Sequence, residues 1–264
     1  YTDDIDLHGM TYAKVYGSPV AHGIIKKVDV SKAKEYPGVL DVMVGEEHPK
    51  AYSVNDLMPT ETPLAVDKVR YFGEGLAAVV AINEQIAAEA LQLIEVEIEE
   101  LDALVNARDS VESSDNLIHD FAKNNTNHTA EQHFGDVDDA LAKADVVVEE
   151  SFYTSMVNGG FIETQSVVAD YDPGKKKLTV YNCNQLAHTL QHTISRTIDM
   201  PLDDIRVIIP NVGGGFGGKT EATPSVLIAS IMSRKLGRPV KLTYDRDESI
   251  YQNKGRHACH LSLK

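Results

Sequence analysis

No stretch of this 264-residue sequence approaches the ~18 uninterrupted apolar residues that a membrane helix requires. A membrane partner is therefore not expected. The opening Tyr1-Thr2-Asp3-Asp4 lacks the basic and apolar regions of a secretion signal, which leaves a cytoplasmic protein as the expectation. Basic residues are scarce beside acidic ones: 25 Lys and Arg face 40 Asp and Glu, a net charge of −15. A field of that sign repels phosphate backbones and acidic lipid surfaces, so nucleic acid is not expected as a partner. Cysteine is limited to Cys183 and Cys259, far apart and with no C-x-x-C spacing. Neither an iron–sulfur cluster nor a cysteine-rich zinc site can be assembled from this chain, and both thiols are expected to be free.

What is present is globular material. Hydrophobic residues make up 42% and charged residues 25% of the chain, enough to bury a core. Short β-type runs at 10–16, 24–30 and 39–44 alternate with Gly and Pro, and 31–36 offers a helical turn. Residues 71–82 form a further strand region, and Asn83 caps a helix with Ile86, Ala87, Ala90 and Leu91 on one face. Residues 93–99 alternate Ile94, Val96 and Ile98 against Glu95, Glu97 and Glu99, which reads as a strand with a solvated acidic face rather than a metal site. Between 106 and 134 the periodicity gives way to Ser, Asn, Asp, His and Thr, and a domain boundary is placed there. The formal glycosylation motifs at Asn124 and Asn127 belong to this polar stretch. Beyond it Asp136 caps a short helix, and 146–153, 165–171 and 177–183 read as strands. Asn184 is placed as the cap of a helix striped by Leu186, Leu190, Ile194 and Ile198. After a strand at 205–209, Thr223-Pro224 opens an apolar helix that Gly237 closes, and 240–244 is another strand. The chain starts at Tyr1 and stops at Lys264 directly after a strand-like run, so it reads as a piece of a longer protein.

One segment carries the chemistry. Residues 211–220 read NVGGGFGGKT, which fits two phosphate-binding patterns. As a Walker loop, Gly213 and Gly218-Lys219-Thr220 would cradle nucleotide phosphates. As a dinucleotide fingerprint, Gly213, Gly215 and Gly218 would be joined by Asp245 as the ribose-binding acid. Context weakens both: too little chain follows Thr220 for an NTPase core, Pro210 interrupts the preceding strand, and Thr223-Pro224 delays the next helix. A bare structural turn needs fewer glycines, so the loop suits close backbone approach to a bulky ligand. Elsewhere, His188 and His192 stand four apart, but Thr189 occupies the place of a zinc-protease glutamate. His257, Cys259 and His260 do not share one strand face, and no metal site is assigned.

The run GGGFGGK at 213–219, the opening through Pro37-Gly38-Val39, KVRYFGEGLAAVVA at 68–81, GDVDDALAKADVVVEE at 135–150 and FIETQSVVA at 161–169 together resemble one family. They look like the leading part of the molybdenum-cofactor subunit of the xanthine dehydrogenase and aldehyde oxidase family. The resemblance implies an α+β fold: an α/β hammerhead domain over 1–108, a linker over 109–134, and the first portion of a molybdopterin-binding domain over 135–264. It implies hydroxylation with water as oxygen source at molybdenum held by molybdopterin, or the reverse reduction, with electrons passing through [2Fe-2S] clusters and FAD on partner domains or subunits. Gln185 would hydrogen-bond a molybdenum oxo group, and the backbone of Gly214, Gly215, Phe216 and Gly217 would press against the cofactor, glycine being needed to avoid a collision with it. Thr220 and Glu221 would face the substrate. Purine-oxidising members carry a glutamate directly after the loop lysine; here Thr220 intervenes, which points to another aromatic or heteroaromatic substrate, as in the hydroxybenzoyl-CoA reductase branch. The family's general-base glutamate lies beyond Lys264, so this chain alone is expected to be inactive and to need the remainder of the subunit. Without a triphosphate to neutralise, Lys219 is expected to matter little. A non-catalytic scaffold of the same fold is the alternative, and a nucleotide-binding fragment a lesser one. Amide exchange is expected to be slow before about Arg108 and fast after Ala130.

Overall fold

The computed structural model describes residues 1–53 and 60–264. Its strands are β1 (Thr11–Gly17), β2 (Gly23–Asp29), β3 (Val39–Val44), β4 (Lys68–Val69), β5 (Gly75–Ala81), β6 (Glu95–Glu100), β7 (Glu150–Thr154), β8 (Ser166–Asp172), β9 (Lys177–Asn182), β10 (Ile205–Ile208), β11 (Val240–Thr243) and β12 (Cys259–Leu263). Its α-helices are α1 (Ser31–Lys34), α2 (Glu84–Leu91), α3 (Ala107–Glu112), α4 (Val137–Lys143), α5 (Ala187–Thr197), α6 (Pro224–Leu236) and α7 (Arg246–Tyr251). Among the described residues no helix is long and apolar enough to cross a membrane. The chain divides into two compact units, Tyr1–Leu101 with Asn158–Lys254, and Asp102–Val157 with Gly255–Lys264.

The larger unit is built on a seven-stranded sheet in the order β10-β9-β8-β11-β1-β5-β3. Strand β1 pairs in parallel with β11, Thr11 opposite Val240, so the first and last strands of this unit lie side by side. Strands β8, β9 and β10 follow β11 in this same sheet, with β10 at its edge, so the sheet joins strands from both ends of the sequence. Strand β5, GLAAVVA, is buried along its whole length. Its alternate side chains serve two cores, Ala78 and Val80 joining one with α5 and α6, Ala77, Val79 and Ala81 another with α2. A strand covered on both faces loses the polar alternation of a half-wet one. Helix α6 is buried from Ser225 to Ser233, as a helix apolar on all sides must be. Its ends carry the signals read from sequence, Pro224 at the first position and Gly237 in the left-handed conformation at φ 61°. A separate antiparallel sheet runs β4-β2-β6, where the glutamates of β6 face solvent and two of them pair with Lys26 and Lys32.

The smaller unit holds α3, α4 and the two-stranded ladder of β7 with β12. Asp136 caps α4 as foreseen, its carboxylate accepting from the Asp139 amide at 2.9 Å. The strand foreseen over 146–153 begins only at Glu150. Of this unit's described apolar residues, Ala122 alone is buried.

Candidate functional site

Strands β8, β9 and β10 are neighbours, with β10 parallel and β8 antiparallel to β9. The start of β8 and the ends of β9 and β10 therefore fall at one edge of the sheet, which gathers residues 158–165, 183–186 and 209–223 from distant parts of the sequence. Asn184 does not cap α5 as foreseen. Its side chain accepts from the Leu186 amide at 2.7 Å and donates to the Glu221 carbonyl at 2.8 Å, while Leu186 occupies the cap position. This turn delivers Gln185 to the glycine loop, where its own amide donates to the Lys219 carbonyl at 2.7 Å.

The Gln185 side chain is fixed end-on. Its Oε1 accepts from the amides of Gly217 and Lys219, both at 3.2 Å, which directs Nε2 outward as a donor with no partner among the described residues. The loop closes on itself through the Gly218 amide, 2.7 Å from the Gly215 carbonyl, and through the Thr220 hydroxyl, 2.9 Å from the Gly217 carbonyl. Glycine is required here for reasons internal to the chain. A Cβ on Gly215 would lie 2.5 Å from Gln185 Oε1, and Gly214 and Gly217 have φ of +96° and +89°. At Gly215 a Cβ would therefore already collide within the chain, whereas beside Gly217 it would meet nothing within 4 Å. Phe216 also has positive φ, 50°, and is 77% exposed. A non-glycine residue in this conformation costs about 1–3 kcal/mol, and such residues cluster at functional sites.

Beneath the loop lies Lys219, 2% exposed, whose ammonium donates to the Glu163 carbonyl and to Glu163 Oε2, each at 2.9 Å. It also sits 4.5 Å from the centre of the Phe161 ring. Glu163 Oε2 accepts in addition from the Gly213 amide at 2.7 Å. Burial pushes the adjacent Cys183 thiol up, and the Lys219 charge opposes that rise. The Lys219 ammonium is thus taken up by a carboxylate beneath the loop rather than turned outward to meet a phosphate. The second nucleotide reading fails as well: Asp245 caps α7, its Oδ1 accepting from the Glu248 amide at 2.7 Å.

Thr220 joins the loop through its hydroxyl, whereas the Glu221 carboxylate is taken by Lys254 at 2.6 Å. Lys254 pairs in addition with Glu61. Burial works against the Lys254 charge, but the two glutamates outweigh it and hold the ammonium above its ordinary range. The segment 158–162 is tied down by Arg246, which donates to the carbonyls of Phe161, at 2.7 Å, and Ile162. Sequence reasoning assigned no role to Glu163, Arg246 or Lys254. The D-x-x-E capping box at Asp245 and Glu248 was a usable sign of α7, but no local pattern pairs Glu163 with Lys219.

Two family models match this chain: the aldehyde oxidase and xanthine dehydrogenase a/b hammerhead domain over residues 1–102, and the molybdopterin cofactor-binding domain over residues 118–264. The carbon monoxide dehydrogenase large chain of Hydrogenophaga pseudoflava is 31% identical over 268 residues, covering 95% of this chain and 33% of that protein. Among solved structures, reconstituted CO dehydrogenase from Oligotropha carboxidovorans superposes with a TM-score of 0.84 at 31% identity, covering 97% of this chain and 34% of the other. Quinoline 2-oxidoreductase from Pseudomonas putida 86 does so with a TM-score of 0.81 at 30% identity, covering 94% and 33%. The chain thus spans about a third of the length of these relatives. By both family matches it belongs to the xanthine dehydrogenase and aldehyde oxidase family of molybdenum hydroxylases, as a hammerhead domain followed by molybdopterin cofactor-binding sequence.

Proposed function

We propose that this chain is the leading part of a molybdenum hydroxylase large subunit and that its glycine loop, with Gln185, is a contact surface for the molybdopterin cofactor. One observation carries the reading: the outward Nε2 of Gln185 and the N–H groups of Gly214, Gly215 and Phe216 have no partner among the described residues, while Phe216 is held in a strained, exposed conformation beside them. A cluster of such donors suits an oxygen-rich, anionic group. When bound, the cofactor supplies the redox centre for a hydroxylation that draws its oxygen from water, or for the reverse reduction. The chain's own work is to present Gln185 as a hydrogen-bond donor to an oxygen of that centre and to let the backbone of 214–217 approach it closely.

Thr220 and Glu221 stand next along the chain, and we assign them to the substrate side. An aromatic or heteroaromatic substrate, of the ring type named in the quinoline oxidoreductase, is our reading, with an aromatic acyl-CoA as one form. The general base belongs to the remainder of the subunit, and [2Fe-2S] and FAD partners take the electrons; this chain alone would not turn over. The apolar residues exposed in the smaller unit, among them Phe134 and Val146, support a further polypeptide covering it. We divide the chain into a hammerhead domain over 1–108, a connection over 109–134 and the opening of the cofactor domain over 135–264; the matched spans, 1–102 and 118–264, support two domains but start the second within that connection. We place the protein in the cytoplasm, consistent with two free thiols.

The test is molybdenum and pterin content of the natively purified complex. Gly217→Val should abolish both, because its side chain fills the open space beside the loop. Gly9→Val is the control, since Gly9 also has positive φ, +72°, and nothing within 4 Å of a Cβ. Gln185→Ala should keep the cofactor and slow turnover on the order of tenfold to a hundredfold, the loss of one hydrogen bond to a charged group. Equal molybdenum in the two glycine variants would sink the proposal, and a folded native complex without molybdenum would favour the scaffold.

A further inference from the structure

We propose that Lys219 and Glu163 form a buried strut that holds the glycine loop in its working shape, making Lys219 a positioning residue. This deepens the cofactor reading above and rests on it only for the consequence, not for the strut itself. The loop contains five glycines between residues 213 and 218, and such a segment is by composition the least ordered in a chain. Glu163 grips it at both ends. At the entry, Gly213 donates to Glu163 Oε2 at 2.7 Å and accepts from the Glu163 amide at 3.2 Å. At the exit, Lys219 donates to the same Oε2 and to the Glu163 carbonyl, both at 2.9 Å. One carboxylate oxygen therefore clamps residues 213 and 219 together, and the span between them is forced into a closed loop.

The surroundings keep the clamp dry and directional. Lys219 is 2% and Glu163 11% exposed, and the Phe161 ring lies 4.5 Å from the ammonium, a favourable cation–π placement. Water therefore screens the pair little. Lys219 and Gln185 are also coupled through the backbone: the Lys219 amide donates to Gln185 Oε1, and its carbonyl accepts from the Gln185 amide. Displacing Lys219 would release the side chain that aims Nε2 outward. The lysine that resembles a nucleotide ligand thus acts inward, on the loop.

Amide exchange and metal content of the natively purified complex test this. In Lys219→Met, the hydrogen-bonded amides of Gly213, Gly217, Gly218 and Lys219's replacement should exchange at least tenfold faster, while those of β8 and β9 stay native. Lone burial of Glu163 could unfold that variant, so Lys219→Met/Glu163→Leu is the second arm: with no unpaired buried charge it should unfold near the native midpoint yet keep the fast loop. A merely structural pair would instead leave loop exchange native wherever the midpoint is native, and that result in the double variant overturns the strut. Molybdenum in the same samples should fall below a tenth of native. A loosened loop that retains its molybdenum upholds the strut and overturns the cofactor contact instead.

Discussion

Val79 in β5 and Val148, just ahead of β7, are the same residue type with opposite fates: the first is fully buried and the second 65% exposed. The difference is one of partners. Val79 lies in a strand flanked by β1 and β3, with α2 packed against its face. Val148 belongs to the smaller unit, whose only ladder among the described residues is the pair β7 and β12, and an isolated two-stranded ladder is marginal in water. Apolar periodicity thus records which surface is meant to be covered, while burial depends on whether the covering surface is supplied. The larger unit supplies its own; the smaller exposes Phe134, Val146, Phe152 and Leu263.

The widest expected contrast is in amide exchange of the 264-residue chain. Amides of β5, β8 and β9 should exchange on the order of a thousandfold slower than those in 102–157 and 255–264, since core strands open only with the global fold. Comparable protection in the two regions would break the comparison. Next in size is a pair of truncations. Leu227→Ala, in the buried stretch of α6, should cost about 2–5 kcal/mol in denaturant unfolding, whereas Phe152→Ala on the exposed ladder should cost less than about 0.5 kcal/mol. Equal losses would mean that the smaller unit has a core of its own.

A pH titration sharpens the contrast further. Burial pushes the Glu74 carboxyl up to about 7, against the pull of the Arg70 amide and guanidinium. Between about pH 4.5 and 7 the native state then holds a proton that the unfolded state has released, so stability falls as pH rises through that window. The full loss is on the order of 3 kcal/mol, complete above pH 7. Glu74→Gln should remove that slope and be more stable than the native chain at pH 8, with no matching change in exchange of residues 102–157. An unchanged slope in the variant would assign the pH dependence to another group.

Local chemistry made much of the fold readable. Asn83 caps α2, its side chain accepting from Ile86, and Pro224 and Gly237 bracket α6, because these signals act within a few residues of themselves. The glycine loop and Gln185 stood out for the same reason, as a dense run and a position fixed by family resemblance. What could not be read was pairing across the chain: β11 beside β1, Glu163 beneath Lys219, Lys254 against Glu221. Each depends on strand order, which no local pattern encodes. The neighbours of Lys219 in sequence give no sign of its partner, which lies 56 residues earlier, just ahead of β8.

The pairing of Thr11 with Val240 sets a timetable for the newborn chain. At about 5–20 residues per second, a ribosome takes on the order of 10–45 s to travel from one to the other. During that interval β1 can pair with β5 on one side, but its other edge has no partner from its own sheet. An open strand edge of this kind is where nascent chains join one another by mistake. Yield of this protein in cells should therefore respond to chaperone supply and to translation speed between residues 81 and 240 more than to its final stability.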